Sequence, residues 1–217
     1  MNPELANVSV VIPTLNSVHL IEPAIDTLCD TLAAVGEVIV VDSYSTDGTL
    51  ELLKSRLGSR NVRYLSRPRG LYASWNHGIA NTTKEWIYIA TAGDAISVED
   101  LVYLHDVGVG NGADVVCAPP RFVTEAGEEL PDPAWPILEL LQQHEGEEFI
   151  RLSNDALEAF ALTHGRPRKG YRSWLGSSAS NLYRGEVLKK MPFPTEVGRT
   201  GDTFWGIFNS SGLSAVF

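Results

Sequence analysis

Small and acidic residues follow three short apolar runs, and these are the residues best suited to ligand chemistry. Residues 13–16 read PTLN, residues 42–49 read DSYSTDGT and residues 91–94 read TAGD. Carboxylates such as Asp42 and Asp94 accept hydrogen bonds from ligand N–H and O–H groups, and they also bind hard divalent cations. Neither GxGxxG nor GxxxxGK[ST] follows the first run, which argues against dinucleotide-binding Rossmann enzymes and P-loop phosphotransferases.

The elements that must position these residues follow from the hydrophobic pattern. Four segments have the composition of strands, three of them almost continuously apolar as in a buried parallel sheet: residues 8–12, 38–41, 61–65 and 86–90. Between them lie segments with the periodicity of amphipathic helices, at residues 21–32, 50–57 and 71–79. This order predicts an α/β layer sandwich with right-handed crossovers. Ligands of such sheets bind beyond the carboxyl ends of the strands, so the three polar segments are expected to meet in one crevice.

The second half of the sequence has a weaker alternation of strands and helices. Ser97 begins a capping box, which predicts a helix through about residue 106. Helical patterns at 137–144 and 155–164 lie among several prolines, and a basic loop follows at 166–172. For this loop we favour a substrate-facing position over a purely solvated one. The final residues, 212–217, have the pattern of a strand and no polar tail, which leaves truncation of the chain at its C-terminus open.

Composition excludes several classes of protein. The 217 residues include 17 Lys and Arg against 27 Asp and Glu, and the net charge of −10 argues against a general nucleic-acid binder. Cys29 and Cys117 are too few and too far apart to suggest a disulfide framework or a tetrahedral zinc site, so a reducing compartment is expected. No run approaches the roughly 20 apolar residues of a membrane-spanning helix, and the start lacks the basic residues of a signal peptide. We expect a soluble, cytoplasmic protein, with peripheral association at the inner face of the membrane left open.

Several segments occur in an order that is shared with a known family. These segments are VSVVIPTLN, EVIVVDSYSTDGT and GLYASWNHGIANTTKEWIYIATAGD, followed by residues 175–183 and 201–205. The first three resemble the nucleotide-sugar domain of family 2 glycosyltransferases over about a hundred residues, and the last two resemble the acceptor-side strand and acidic helix start. The resemblance implies the GT-A fold, with a Rossmann-like, mostly parallel sheet flanked by helices. It also implies a nucleotide-sugar-binding half at 1–110 and an irregular acceptor-binding half of the same domain at 111–217.

The resemblance implies a pocket for a nucleotide diphosphate sugar, with a uridine nucleotide favoured. Asp42 would recognise the base, whereas the residue alone suggests a turn cap at a strand end. The other residues that the resemblance places on the donor are small or polar: Pro13, Thr14, Asn16, Ser43, Gly70, Asn76, Gly93 and Asp94. For Asp47 we favour a capping role at the helix that starts near Thr49.

Two departures from the family pattern affect this pocket. Ser17 stands where many relatives have an acidic residue, and Trp75 stands where many have an arginine. Trp75 has helical spacing with Leu71 and Ile79, so we assign it to the core. Arg67 or Arg69 could then supply the missing guanidinium contact to phosphate.

The resemblance implies a divalent cation, Mg²⁺ or Mn²⁺, at Asp94. Only this last carboxylate of the family's Asp-x-Asp motif is retained, in the form Gly93-Asp94. One or two carboxylates and the phosphates of the donor can together hold such a cation, which would stabilise the diphosphate leaving group. The alternative is a turn aspartate between strand and helix.

Asp202 carries the remaining chemical role that the resemblance implies, that of a general base. Transfer of a sugar with inversion requires a carboxylate opposite the leaving group to take the proton of the acceptor hydroxyl. Relatives often have Glu-Asp here, whereas this chain has Gly201-Asp202, and an N-cap is the alternative role.

The function that we infer is that of a metal-dependent inverting glycosyltransferase of hexosyl type in glycan or polysaccharide assembly. Its acceptor would be a glycan or a lipid-linked sugar. The main alternative is a non-catalytic, glycosyltransferase-like module that binds a nucleotide or glycan; turnover of the donor discriminates between the two. A nucleotidyltransferase is disfavoured because residues 13–16 are not the glycine-rich basic loop that such an enzyme needs.

Overall fold

Seven strands form one mixed sheet in the computed structural model, which describes residues 2–58, 61–124, 128–131, 135–164 and 173–217. The strands are β1 (Val8–Thr14), β2 (Glu37–Asp42), β3 (Val62–Ser66), β4 (Trp86–Ile89), β5 (Val115–Cys117), β6 (Asn181–Arg184) and β7 (Ala215–Val216). Their order across the sheet is β3-β2-β1-β4-β6-β5-β7. Strands β1 to β4 are mutually parallel, β6 is antiparallel to β4 and β5, and β7 is parallel to β5.

Helices cover the sheet and connect its strands. In the described part of the chain the α-helices are α1 (Val18–Ile21), α2 (Ile25–Ala34), α3 (Thr49–Leu57), α4 (Leu71–Ala80), α5 (Val98–Asn111), α6 (Pro136–Gln143), α7 (Asn154–His164), α8 (Gly185–Lys190) and α9 (Gly201–Asn209). Short 3₁₀ turns occupy Glu22–Ala24, Ser178–Ser180, Gly198–Thr200 and Ser210–Gly212. No helix in the described residues is both long and apolar enough to cross a bilayer.

The first four strands lie where the hydrophobic pattern predicts them, and the α/β prediction is confirmed. Every residue of β1, β2 and β4 is buried, as continuous apolar runs require, whereas the edge strand β3 is partly exposed. Strand β1 has β2 on one side and β4 on the other. The chain therefore reverses its direction of progress across the sheet between β1 and β4, which is where open α/β sheets form a ligand crevice.

Alternating side chains of the central strands build two cores, one on each face of the sheet. On one face Val11 and Ile39 pack with residues of α4 and α6 to α9, while on the other Val10 and Val38 pack with residues of α2, α3 and α5. Trp75 is 3% exposed within the first core, so its assignment to the core is confirmed.

Helix α5 is longer than its sequence predicts. The capping box is confirmed, since the Ser97 hydroxyl accepts the Asp100 N–H at 3.0 Å. The predicted end near residue 106 is wrong, because α5 continues through Gly108 to Asn111 and ends at Gly112, whose φ of 58° is left-handed. Gly108 is retained in the helix because its backbone lies against the Trp86 ring, where a Cβ would come within 2.6 Å of the ring.

The second half of the chain completes the same sheet. Helices α6 and α7 agree with the predicted helical segments, and residues 215–216 form the predicted final strand. Phe217 then exchanges two backbone hydrogen bonds with Ile150. Strand β5 and helix α8 were not predicted from the sequence, and the basic loop at 166–172 lies outside the described residues.

Candidate functional site

A crevice of about 250 Å³ opens beyond the carboxyl ends of β1, β2 and β4. Its lining residues are mostly small or polar: Pro13, Thr14, Leu15, Ser17, Ser43, Arg69, Gly70, Leu71, Ser74, Thr91 and Ala92. The three polar segments named in the sequence analysis thus meet at one place, as the parallel arrangement of their strands predicts. Four of the predicted donor-binding residues line the crevice: Pro13, Thr14, Ser43 and Gly70.

Thr14 presents an unpaired hydroxyl at this crevice. The residue is the last of β1, lies beside Asp42 in the sheet register and is only 4% exposed. Its Oγ1 has no hydrogen-bond partner among the described residues, although buried hydroxyls are normally bonded. An unpaired buried hydroxyl at a crevice can form its missing hydrogen bond with a bound ligand.

Asp42 is buried at the end of β2 and organises the loop that follows. Its Oδ1 accepts the Ser45 hydroxyl at 2.6 Å, and its Oδ2 accepts the Ser45 N–H at 3.0 Å. The Ser45 hydroxyl also accepts the Asn16 N–H at 2.9 Å, and Asn16 Oδ1 accepts the Thr46 N–H at 2.9 Å. Asp42 and Asn16 therefore join the loops after β1 and β2, and neither lines the crevice.

The backbone of these two loops is held in an unusual conformation. Asn16 has a φ of 49° and Tyr44 a φ of 61°, both in the left-handed region that residues other than glycine rarely adopt. Tyr44 lies between Asp42 and Ser45, and its side chain is 62% exposed. The hydrogen bonds between the loops can stabilise this strained conformation next to the crevice.

Asp47 has the capping role that its position predicts. Its Oδ1 accepts the N–H of Thr49, the first residue of α3, at 3.0 Å, and its Oδ2 accepts the Val18 N–H at 3.1 Å. Asp47 Oδ1 also accepts the Thr49 hydroxyl, and this hydrogen bond makes the largest contribution to lowering the pKa of Asp47. One carboxylate thus holds the starts of both α1 and α3.

Two arginines lie at the wall formed by the start of α4. Arg67 donates to the Gly70 carbonyl at 3.2 Å and to the Ser74 hydroxyl at 3.3 Å, and that hydroxyl is 3.2 Å from the Ser43 hydroxyl. Arg69 is exposed and lines the crevice. The contact with phosphate that the sequence suggested for Arg67 or Arg69 stays a prediction.

Asn76 lies on α4 but outside the crevice. Its Nδ2 donates to the Phe193 carbonyl at 2.8 Å, and its Oδ1 accepts the Phe193 N–H at 3.0 Å. This pair of hydrogen bonds connects α4 to the segment between α8 and α9. The donor-binding role of Asn76 stays a prediction.

Asp94 follows β4 in the turn that Gly93 forms at a φ of 92°. Its Oδ2 accepts the hydroxyl of Thr91, a residue of the crevice wall. Desolvation by surrounding protein raises the pKa of Asp94 and the Thr91 hydrogen bond opposes the rise. Because the residue is exposed, we expect water to moderate this shift.

Asp94 can serve as a cation ligand only together with a substrate. In the part of the chain that the structure describes, no three His, Cys, Asp or Glu side chains form a preformed metal site. A single carboxylate with the phosphate oxygens of a bound nucleotide is nevertheless a normal donor set for Mg²⁺. The residues present therefore fit a cation that is held jointly with the donor.

Asp202 is the second residue of α9 and lies outside the crevice lining. Thr200, not Asp202, is the N-cap of this helix. Asp202 Oδ1 accepts the Tyr72 hydroxyl at 2.9 Å and the Thr203 N–H at 2.7 Å. The carboxylate is therefore held against α4, whose first residue, Leu71, lines the crevice.

The sequence pattern described as "Glycosyl transferase family 2" matches residues 9–165 of this chain, which is more than half of its length. The chain belongs to glycosyl transferase family 2. The matched residues include β2, β3, β4, all of β1 except its first residue, and every lining residue of the crevice.

A curated relative and two solved structures are similar to this chain. A "PGL/p-HBAD biosynthesis glycosyltransferase" of Mycobacterium tuberculosis is 28% identical over 95 residues, which cover 42% of this chain and 37% of the relative. S. aureus TarS 1-349 in complex with UDP matches with a TM-score of 0.69 at 20% identity, covering 96% of this chain and 57% of that one. The mannosyltransferase PcManGT from Pyrobaculum calidifontis, in complex with GDP-Man and Mn²⁺, matches with a TM-score of 0.63 at 19% identity, covering 96% and 53%. These likenesses show the GT-A fold, and the chain spans little more than half the length of either solved relative.

The family pattern led to part of the crevice and missed the rest. Ser17 and Ser74 line it, yet neither was predicted. Ser74 is one helical turn from Gly70, so its position on α4 gives a signal that could have identified it. Ser17 departs from the family pattern, and its hydroxyl bonds the Leu15 carbonyl at 3.0 Å, a local contact that no motif encodes.

Proposed function

We propose that this family 2 chain transfers a sugar from a nucleotide diphosphate donor to a hydroxyl acceptor with inversion of configuration. The observation that carries the proposal is the polar crevice beyond β1, β2 and β4, with the unpaired Thr14 hydroxyl at its wall. In this assignment, residues 1–110 bind the donor and residues 111–217 contribute to binding the acceptor, a glycan or a lipid-linked sugar.

The donor nucleotide would lie in the crevice between the loops after β1 and β2. Thr14 and Ser43 offer hydroxyls to the nucleoside, while Asp42 and Asn16 keep the two loops in place. Arg69 would offset part of the repulsion between the diphosphate and a chain of net charge −10. We favour a uridine nucleotide. TarS in complex with UDP-GlcNAc and PcManGT in complex with GDP-Man give the donors to compare first.

Asp94 would hold Mg²⁺ or Mn²⁺ together with the donor phosphates. Such a cation, when bound, stabilises the negative charge that develops on the departing diphosphate. Support comes from the position of Asp94, whose carboxylate bonds a residue of the crevice wall, and from the Mn²⁺ in the PcManGT complex. Since only one carboxylate is available, we expect the protein to bind the cation weakly in the absence of nucleotide.

Asp202 would act as the general base. The acceptor O–H bond breaks and its proton passes to the carboxylate, while the acceptor oxygen bonds to the anomeric carbon. The bond from that carbon to the diphosphate oxygen breaks, and its electron pair leaves with the diphosphate. Atoms and charge balance without any further reactant.

Thermal unfolding with UDP, GDP and their sugars, each with and without Mn²⁺, tests the donor site. A ligand that binds only the native state raises the free energy of unfolding, by about 2.7 kcal/mol at a ligand concentration a hundredfold above Kd. The melting temperature rises as a result. We expect a rise for one nucleotide that requires Mn²⁺ and is lost in Asp94→Ala. Asp106→Ala removes an exposed carboxylate of α5 and should retain the full response.

Turnover then discriminates an enzyme from a binding module. The wild type should release UDP or GDP from the donor that it binds, even with water as the acceptor, and Asp202→Asn should do so only at a small residual rate. Binding without turnover across donors and acceptors would identify a non-catalytic module. If Mn²⁺ bound tightly in the absence of nucleotide, both to the wild type and to Asp94→Ala, the proposed cation site would be wrong.

A further inference from the structure

We propose that Tyr72 is a positioning residue that fixes the Asp202 carboxylate with one oxygen free to take the acceptor proton. The inference rests on the proposed function, because it assigns the orientation of the base in that reaction. It concerns a contact between α4 and α9 that connects the wall of the donor crevice to the proposed base.

The two oxygens of Asp202 have different surroundings. Oδ1 accepts the Tyr72 hydroxyl at 2.9 Å and the N–H of Thr203 at 2.7 Å. Oδ2 has no hydrogen-bond partner in the described ranges 2–58, 61–124, 128–131, 135–164 and 173–217. Because Oδ1 is already bonded by two donors, Oδ2 is the oxygen available to the acceptor hydroxyl.

The Tyr72 ring is held firmly enough to orient its partner. The residue is 4% exposed, with its ring 4.9 Å from the Trp75 ring in an edge-on contact and 5.8 Å from the Phe193 ring in a stacked one. Burial, followed by the charge of Asp202, raises the pKa of Tyr72, so the phenol remains a hydrogen-bond donor. Its hydroxyl also lies 3.0 Å from the Arg199 carbonyl, but the charged carboxylate is the stronger acceptor.

Gly201 shows that the ring and the start of α9 are fitted to one another. A Cβ at this position would lie 2.4 and 2.5 Å from the Cδ2 and Cε2 atoms of Tyr72, and 2.8 Å from the Pro194 carbonyl oxygen. A side chain at residue 201 would therefore require the Tyr72 ring or the segment at Pro194 to move. The ring of Tyr72 therefore fills space beside the base that a residue 201 side chain would need.

Helix α4 connects this contact to the donor crevice. Its first residue, Leu71, lines the crevice, while the adjacent Tyr72 points into the core beside α9. The same helix thus contacts both the donor site and the base, so the position of the free oxygen of Asp202 depends on a rigid element of the donor half.

Steady-state kinetics of the whole chain test this proposal. The donors are UDP-glucose, UDP-GlcNAc and GDP-mannose, the acceptor is water, and the release of UDP or GDP is measured. Tyr72→Phe should lower kcat at least about tenfold while KM for the donor changes less than about twofold, because a hydrogen bond to a charged group is lost away from the donor. In an Asp202→Asn background the same change should have no further effect. Tyr64→Phe is the matched control: it removes a phenol hydrogen bond of 2.8 Å to the Gly58 carbonyl, and it should leave kcat unchanged.

A second measurement tests the contact independently of activity. Tyr72→Phe should lower the urea midpoint of the wild type more than that of Asp202→Ala, where only the Arg199 carbonyl remains as a partner of the hydroxyl. The positioning role would be overturned if Tyr72→Phe lowered kcat by the same factor in the wild type and in Asp202→Asn. It would also be overturned if the kcat of Tyr72→Phe lay within about twofold of that of the wild type. If the wild type bound UDP with Mn²⁺ but turned over none of the three donors, the assignment of Asp202 as the base would be overturned as well. Failure of the proposed function can thus be distinguished from failure of the positioning role alone.

Discussion

Thr14 and Thr82 are both buried threonines, and they differ in whether the hydroxyl has a partner. Each is 4% exposed, but Thr82 donates to the Ile79 carbonyl at 2.8 Å, whereas the Thr14 hydroxyl has no partner in the part of the chain that the structure describes. A buried unpaired hydroxyl costs free energy in the unliganded protein, and a ligand that bonds it recovers this cost. Thr14 thus has the surroundings expected of a ligand-binding residue, whereas Thr82 has those of a structural one.

Valine substitution at these two positions should have opposite effects. Thr14→Val is expected to retain or raise the free energy of unfolding, by up to about 1 kcal/mol, and to weaken UDP binding about tenfold. Thr82→Val should lose about 1 kcal/mol of stability and leave UDP binding unchanged. Urea unfolding and calorimetric titration with UDP and Mn²⁺ measure both quantities. Equal losses of stability at the two sites, with unchanged affinity for UDP, would contradict the role of Thr14.

Individual residues could be predicted from sequence when their partners are close along the chain. Asp47 bonds Thr49 two residues away, and Ser97 bonds Asp100 three residues away, so turn and cap chemistry identified both. The hydrogen bonds of Asn76 and Tyr72 join residues 117 and 130 positions apart, respectively. No local pattern encodes such pairs, which is why the sequence suggested a capping role for Asp202 but could not identify its partner Tyr72.

At the scale of elements, α5 contains two glycines with different surroundings. A Cβ at Gly108 would meet the Trp86 ring at 2.6 Å, whereas a Cβ at Gly110 would meet nothing within 4 Å. Gly108 therefore allows the helix to approach β4, while Gly110 only lowers the helical propensity. The predicted end of α5 was wrong because sequence alone treats both glycines as helix breakers.

Alanine at these positions should change stability in opposite directions. Gly108→Ala forces the Trp86 ring or the helix to move and should cost about 1–3 kcal/mol. Gly110→Ala, two residues away in the same helix, should gain roughly 0.5–1 kcal/mol. Denaturant unfolding of the two variants measures the difference. A similar gain for both would show that α5 does not pack as closely on β4 as the structure indicates.

Strands were predictable to the extent that burial made them apolar along their whole length. β1, β2 and β4 are buried at every position, and their runs of Val and Ile are distinctive. β5 has only three residues, and its neighbour β6 comes from far along the chain. The antiparallel part of the sheet depends on this long-range pairing, so the local pattern could not reveal it.

At the scale of the whole molecule, the core contains several weakly acidic groups that should make stability fall in alkali. Burial raises the pKa of Cys117, Tyr88 and Tyr183 above the ordinary values near 8.5 and 10. In the unfolded chain these groups lose their protons at the ordinary pKa values, while the folded protein retains them. Stability is therefore fully present below about pH 8.5 and decreases as the pH rises above it.

Urea unfolding between pH 7 and pH 11 measures this decrease. Each buried group contributes up to roughly 1 kcal/mol per pH unit to the slope above its unfolded pKa. Tyr183→Phe should reduce the slope above pH 10, although it also removes a hydrogen bond from Asn181. Tyr103→Phe alters a tyrosine that is 51% exposed and should leave the slope unchanged. An unfolding free energy that stays constant up to pH 11 would contradict the burial of these groups.

The position of β6 between β4 and β5 has a consequence for biosynthesis. A ribosome completes β4 at residue 89 and β5 at residue 117, but neither can take its final neighbour until β6 emerges from residue 181 onward. During that interval the growing polypeptide carries β4 without its partner on one side, so the backbone N–H and C=O groups at that edge of Trp86–Ile89 lack their final partners. Such an edge can pair with other chains, and we therefore expect incomplete chains that end before β6 to aggregate more readily than the whole protein.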